Sequence, residues 1–149
     1  SLDRFILLRT AWVYSPNGKN FVNTMLRLAD ERDELSVVED QYGSPTLAED
    51  LAKVSLDIVD EVNTGSVIYP WGIYLASGEG VVNWSGFAES ILAFAGKEGV
   101  RVRPIPGSDY PTPAPRPAYS VLSNNRLEQV FGLSLPHWQD SLARCLSNR

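Results

Sequence analysis

Phe5-Ile6-Leu7-Leu8-Arg9-Thr10-Ala11-Trp12-Val13-Tyr14, followed after a short polar loop by Gly18-Lys19-Asn20-Phe21, decides how this chain folds. An apolar run that ends in polar residues reads as a parallel strand buried on both faces. Trp12 and Tyr14 then fall at the carboxyl end of that strand, where open α/β sheets bind their ligands. Asn20 is a good N-cap, and Phe21, Met25, Leu28 and Ala29 recur behind it at helical spacing.

Outward from this opening, strands and helices alternate. Residues 35–39 read as a short strand, and Asp40-Gln41-Tyr42-Gly43-Ser44-Pro45 as a loop of turn formers. Thr46-Leu47-Ala48-Glu49 matches a capping box, ahead of a long helix with Leu47, Leu51, Val54, Ile58 and Val62 on one face and Gly65 after it. Residues 67–77 are β-branched or aromatic enough for a strand, best at Gly72-Ile73-Tyr74-Leu75-Ala76. Asn83 caps a third helix with Trp84, Phe87, Ala88, Ile91 and Ala95 on its apolar face. Residues 100–105 alternate as a strand does. From Pro111 to Pro117 every second residue is proline, which permits neither helix nor central strand. Two short helices close the chain, near residues 124–131 and 136–146. This order is α/β. A first strand with no partner before it places its neighbours on sequence upstream, and its uncovered edge favours self-association.

Charge and composition exclude several functions. The 13 Lys+Arg against 18 Asp+Glu give a net charge of -5, with no basic stripe to neutralise nucleic acid. No run is long enough to span a membrane. The single Cys145 forms no intramolecular disulfide, fits a reducing, cytoplasmic compartment, and reads as a packed thiol. One His (His137, at a helix start) and one Cys cannot build a zinc site, so no metal ligand is assigned.

Catalytic motifs are missing too. Gly78-Glu79-Gly80 lies between a strand and a helix, but Asn83 replaces the third glycine of a dinucleotide turn and Glu79 stands where phosphate would approach. A Tyr acid with Lys one helical turn on is also absent, since Ser15, Glu49 and Ala93 precede Lys19, Lys53 and Lys97 by four residues. No catalytic residue is therefore assigned.

The opening stretch nevertheless resembles the RTxWVY…NF segment of dTDP-4-dehydrorhamnose reductases, which belong to the extended short-chain dehydrogenase/reductase group. The likeness continues through Leu35-Ser36-Val37-Val38-Glu39-Asp40-Gln41-Tyr42-Gly43-Ser44-Pro45-Thr46, Gly72-Ile73-Tyr74-Leu75-Ala76-Ser77-Gly78, Tyr110-Pro111-Thr112-Pro113-Ala114-Pro115-Arg116-Pro117 and Leu135-Pro136-His137-Trp138. It covers nearly the whole chain and corresponds to the C-terminal half of such an enzyme. It implies that residues 1–149 are the substrate-binding portion: some strands of a partial Rossmann-like sheet plus the small sugar-nucleotide-binding domain. An N-terminal domain carrying NADPH and the Tyr-Lys pair would lie outside this chain.

The resemblance also implies a dTDP-sugar ligand and a set of substrate-binding residues. Trp12 would lie against the deoxysugar, offering a rigid face and an indole N–H; simple core packing is its other reading. Asn20 and Phe21 would follow the binding loop, Asn20 either capping its helix or touching ligand. Gln41 would bond sugar or base, or else stabilise its turn. Arg116 would hold the diphosphate with its planar fork, or else form a surface ion pair. Arg101 and Arg103 share the polar face of one strand and read as solubilising charge. Some reductases of this kind dimerise around Mg²⁺, so a homodimer is implied, although no residue cluster here is assigned to the cation. Two other readings are a regulatory subunit resembling that of methionine adenosyltransferase, and another nucleotide-sugar reductase or epimerase.

Overall fold

The computed structural model describes residues 3–147. The first apolar run forms β1 (Ile6–Arg9), which pairs in parallel with β6 (Gly72–Leu75), Ile6 opposite Gly72 and Arg9 opposite Leu75. The crossover between them includes α2 (Ala48–Thr64), whose Val54 and Ile58 pack under the strands beside Tyr74 and Ala76. α4 (Asn125–Phe131) completes this core with Leu127 and Phe131.

A second parallel pair joins β3 (Glu34–Val38) to β8 (Arg101–Ile105). Its core draws Val22 and Met25 from α1 (Phe21–Glu31), Phe87 and Ile91 from α3 (Trp84–Phe94), and Trp138 and Leu142 from α5 (Trp138–Ser147). Two-residue ladders tie the loops between these bodies. β2 (Val13–Tyr14) runs parallel to β5 (Thr46–Leu47), and β4 (Tyr42–Gly43) antiparallel to β7 (Val82–Asn83). The α/β expectation holds, with hydrophobic residues gathered in two clusters.

Both asparagine caps form as local chemistry dictates: the Asn20 side chain accepts from Asn23 N–H at 3.0 Å and the Asn83 side chain from Gly86 N–H at 2.8 Å. Gly65 ends α2 at φ 72°, and Cys145 is a buried thiol.

Three expectations fail. The capping box does not form: α2 starts after Leu47 with no side-chain cap, because the Thr46 hydroxyl accepts from the distant Gly78 N–H at 3.1 Å. The helix start is held instead by Asp50, 8% exposed, whose carboxylate accepts from the Ser141 hydroxyl at 2.5 Å and pairs with Arg144. The strand expected over residues 67–77 shrinks to β6, because Tyr69 sits at φ 58° and Gly72 at φ 124°. β1 is also buried on one face only. Ile6 and Leu8 meet the core, whereas Phe5, Leu7 and Ile73 are 41%, 44% and 40% exposed. An unbroken apolar run signals layers on both faces, and among the described residues only one layer is present.

No helix among the described residues is long and apolar enough to cross a membrane.

Candidate functional site

The chain leaves β1 through Thr10 and Ala11 and reaches Trp12 at φ 52°, a conformation costly for a bulky residue. Tertiary contacts hold it there. The Trp12 carbonyl accepts from Thr46 N–H at 3.1 Å, and its indole stacks on Trp84 with centroids 3.5 Å apart and planes 9° from parallel. Phe21 supports Trp84 from α1 at 4.6 Å. Gly43 lets the indole approach: a Cβ there would lie 2.3 Å from Trp12 Cε2.

This indole pair forms one wall of a cleft of about 480 Å³. Gln41 lines it from the loop after β3, and the proline-rich segment crosses opposite, contributing residues 112–117. Trp12, Gln41 and Arg116 therefore meet around one space. Among the described residues, neither the Gln41 carboxamide nor the Arg116 guanidinium has a hydrogen bond or ion pair.

The other arginines of interest are engaged elsewhere. Arg101 donates to Glu34 at 2.9 Å and holds that carboxyl below its ordinary range, and Arg103 pairs with the same carboxylate at 3.2 Å. Arg126 lies 4.7 Å over the Tyr74 ring.

Asn20 and Phe21 do not line the cleft. The Asn20 amide donates to Ser15 O at 2.9 Å while its oxygen caps α1, and Phe21 packs between Trp84 and Phe87. Trp84 is the lining residue that sequence reasoning missed. Its helical spacing with Phe87 and Ile91 reads as core, yet in the structure it follows the β4–β7 ladder and stacks on Trp12.

The strand-to-helix turn at Gly78 and Glu79 does not fit a nicotinamide cofactor's pyrophosphate. The Gly78 amide is bonded to Thr46, the Glu79 amide donates to Pro136 O at 3.0 Å, and a Cβ at Gly78 would meet Pro45 O at 2.1 Å. Gly78 therefore admits the Pro45 backbone, and the Gly78 and Glu79 amides are already bonded within the chain. His137 is exposed at the start of α5 beside Gly80, outside the cleft lining. Among the described residues no group of three or more His, Cys, Asp or Glu could hold a metal ion, and nothing in them supports the Mg²⁺ implied by resemblance.

Tyr14 lies beside the cleft's strand and is no acid at neutral pH. Burial, followed by the nearby Cys145 and Asp50, pushes its phenol well above the ordinary tyrosine range. Among the described residues its buried hydroxyl has no hydrogen-bond partner. Tyr14→Phe should therefore leave urea stability unchanged or raise it by about 1 kcal/mol, by removing an unpaired polar group. A clear loss of stability would show that the hydroxyl bonds something.

An aromatic wall, a stiff strap with a free guanidinium and a free carboxamide suit a ligand that combines a flat or apolar ring with phosphate. Several known proteins resemble the chain. A dTDP-4-dehydrorhamnose reductase of Sinorhizobium fredii is 43% identical over 142 residues, covering 93% of this chain and 48% of that protein. The crystal structure of one from Clostridium acetobutylicum matches with a TM-score of 0.87 at 39% identity, covering 96% of this chain and 48% of the other. Another from Bacillus anthracis, in complex with NADP, gives 0.81 at 34% identity over 98% and 49%. The chain spans about half the length of these relatives. The family model described as the RmlD substrate binding domain matches residues 1–149, and the chain belongs to that family.

Proposed function

We propose that this chain is the substrate-binding portion of an NADPH-dependent reductase that converts dTDP-4-dehydro-L-rhamnose to dTDP-L-rhamnose in the cytoplasm. The observation that carries the reading is the meeting of Trp12, Trp84, Gln41 and Arg116 around one cleft. Relatives named for that reaction, at about 40% identity over nearly the whole chain, support it. In this reading Arg116 neutralises the diphosphate, Gln41 bonds a sugar or base oxygen, and the indole wall excludes water from the sugar.

Hydride delivery to C4 and protonation of the new alkoxide belong to an N-terminal NADPH-binding domain outside this chain. The exposed side chains of Phe5, Leu7 and Ile73 are where that domain would cover the sheet. A second cleft, about 460 Å³, opens between β1 and α2, lined by Ile6, Leu8, Ile58 and Val62. The chain by itself should bind dTDP weakly and reduce nothing.

Arg116→Ala should weaken dTDP binding at least about tenfold, the loss of a charge-assisted hydrogen bond worth roughly 1.5 kcal/mol. Titration of the chain with dTDP by heteronuclear NMR measures this even at millimolar affinity. Equal affinity for both proteins would remove Arg116 from the site, and no shifts at all with the unsubstituted chain would sink the reading.

A further inference from the structure

The strap that carries Arg116 is fastened at both ends to the residues flanking Gln41. At its entry the Asp40 carboxylate accepts from Gly107 N–H, with both oxygens at 2.9 Å. At its exit Tyr42 N–H donates to Ala118 O at 2.8 Å, and Ser120 returns to Tyr42 O through its amide at 2.9 Å and its hydroxyl at 3.1 Å. Between these points the bonds are internal: Asp109 N–H to Pro106 O, Tyr110 N–H to Gly107 O, and the Thr112 hydroxyl to Ala114 O at 2.6 Å. Among the described residues no hydrogen bond or ion pair ties residues 108–117 to anything outside residues 106–117.

The strap is therefore a proline-stiffened arch on two footings. Stiffness matters, because alternating prolines fix φ and transmit the position of a footing along the arch. The exit footing rests mainly on backbone. At the entry, Glu39 N–H donates to Ile105 O at 2.9 Å, and beyond that backbone bond the Asp40 carboxylate holds Gly107. Gly107 also packs close to the Gln41 amide, since a Cβ there would lie 3.0 Å from Gln41 Nε2 and 2.9 Å from Asp40 Oδ1. One carboxylate thus holds the first residue of the arch beyond the ladder and the wall next to Gln41.

We infer that Asp40 is a positioning residue for ligand binding, acting through the strap on Arg116 and touching no ligand itself. The inference rests on the cleft being the dTDP-sugar site. It also opposes the simplest electrostatic expectation. Removing a carboxylate close to an anion site should tighten anion binding by charge alone. If the Gly107 bond is what matters, losing the acceptor should do the reverse.

The test compares Asp40→Ala and Asp40→Asn in the 149-residue chain, each with Arg116 and with Arg116→Ala, titrated with dTDP and with thymidine. Asp40→Ala should weaken dTDP binding about three- to tenfold. Asp40→Asn keeps an acceptor for Gly107 while losing the charge, so it should bind as tightly as the parent or more tightly. In the Arg116→Ala background the alanine effect on dTDP should fall below about twofold, because two residues acting through one contact are not additive. Thymidine, which lacks the phosphates, should be nearly indifferent to both changes. Urea midpoints confirm that each variant folds.

Tighter binding by Asp40→Ala would overturn the inference in favour of plain charge repulsion. An equal loss with and without Arg116 would overturn it in favour of a general structural role. Failure of the unsubstituted chain to bind dTDP would instead overturn the functional reading beneath it, and the inference with it.

Discussion

Phe87→Ala should cost this fold about 3–5 kcal/mol, the loss expected for truncating a fully buried aromatic ring. Phe87 is 1% exposed and meets three rings from three different elements. Tyr14 of β2 approaches edge-on at 5.6 Å, Phe21 of α1 stacks at 5.6 Å, and Trp138 of α5 stands perpendicular at 5.7 Å. Such ring pairs contribute beyond their buried area, and none of the three neighbours can move into the void without leaving another partner. A domain of ordinary stability has only about 5–15 kcal/mol in total, so the variant should sit near its unfolding threshold at 37 °C. Phe87→Leu, which keeps most of the volume, should lose much less. Urea denaturation followed by tryptophan fluorescence separates the two. A loss below about 1 kcal/mol for the alanine variant would mean that this cluster is not the close-packed core the ring geometry describes.

What could be read from the chain without coordinates divides along the range of the interactions. Asn20 and Asn83 are legible as caps because the groups they satisfy lie three residues away. Thr46 carries the same kind of signal and misleads, because its hydroxyl finds the Gly78 amide 32 positions on, and Leu47 takes the helix start instead. The ladders β2–β5 and β4–β7 have two residues on each strand, too few for any alternation to register. β1 is legible as a strand from its apolar run, but that run signals two covering layers where the described residues supply one.

The site follows the same rule. Arg116 stands out because proline at every second position around it marks a loop that can be nothing else. Gln41 stands out for sitting among turn formers between a strand and a helix. Resemblance sets Asn20 and Phe21 after the binding loop, with Asn20 either capping or touching ligand; in the structure Asn20 caps α1 and Phe21 packs against Phe87. Trp84 is hidden within a helix's apolar spacing. Its place in the wall goes with a positive φ at Trp12 and a ladder between residues 39 and 41 positions apart, and neither leaves a local trace.

That arrangement makes Gly43 the sharpest handle on the wall itself. A methyl group at residue 43 would stand 2.3 Å from Trp12 Cε2 and 2.6 Å from both Cζ2 and Nε1, distances no van der Waals contact tolerates. The indole cannot yield cheaply, since it is stacked on Trp84 and its carbonyl is held by Thr46 N–H. Nor can the residue retreat, since β4 pairs with Val82 and Asn83. Gly43→Ala should therefore expel the Trp12 ring from its stack. The expected signs are loss of the near-ultraviolet circular dichroism of two coupled indoles, an overpacking cost of about 1–3 kcal/mol, and dTDP binding at least about tenfold weaker. Gly99→Ala is the matching control, because a Cβ there meets nothing within 4 Å and should change none of the three readouts. Ligand binding and stability can part company in this experiment. If the stack is lost while dTDP affinity stays at the parent value, the indole wall supports the fold only, and the ligand lies against the strap and Gln41 without it.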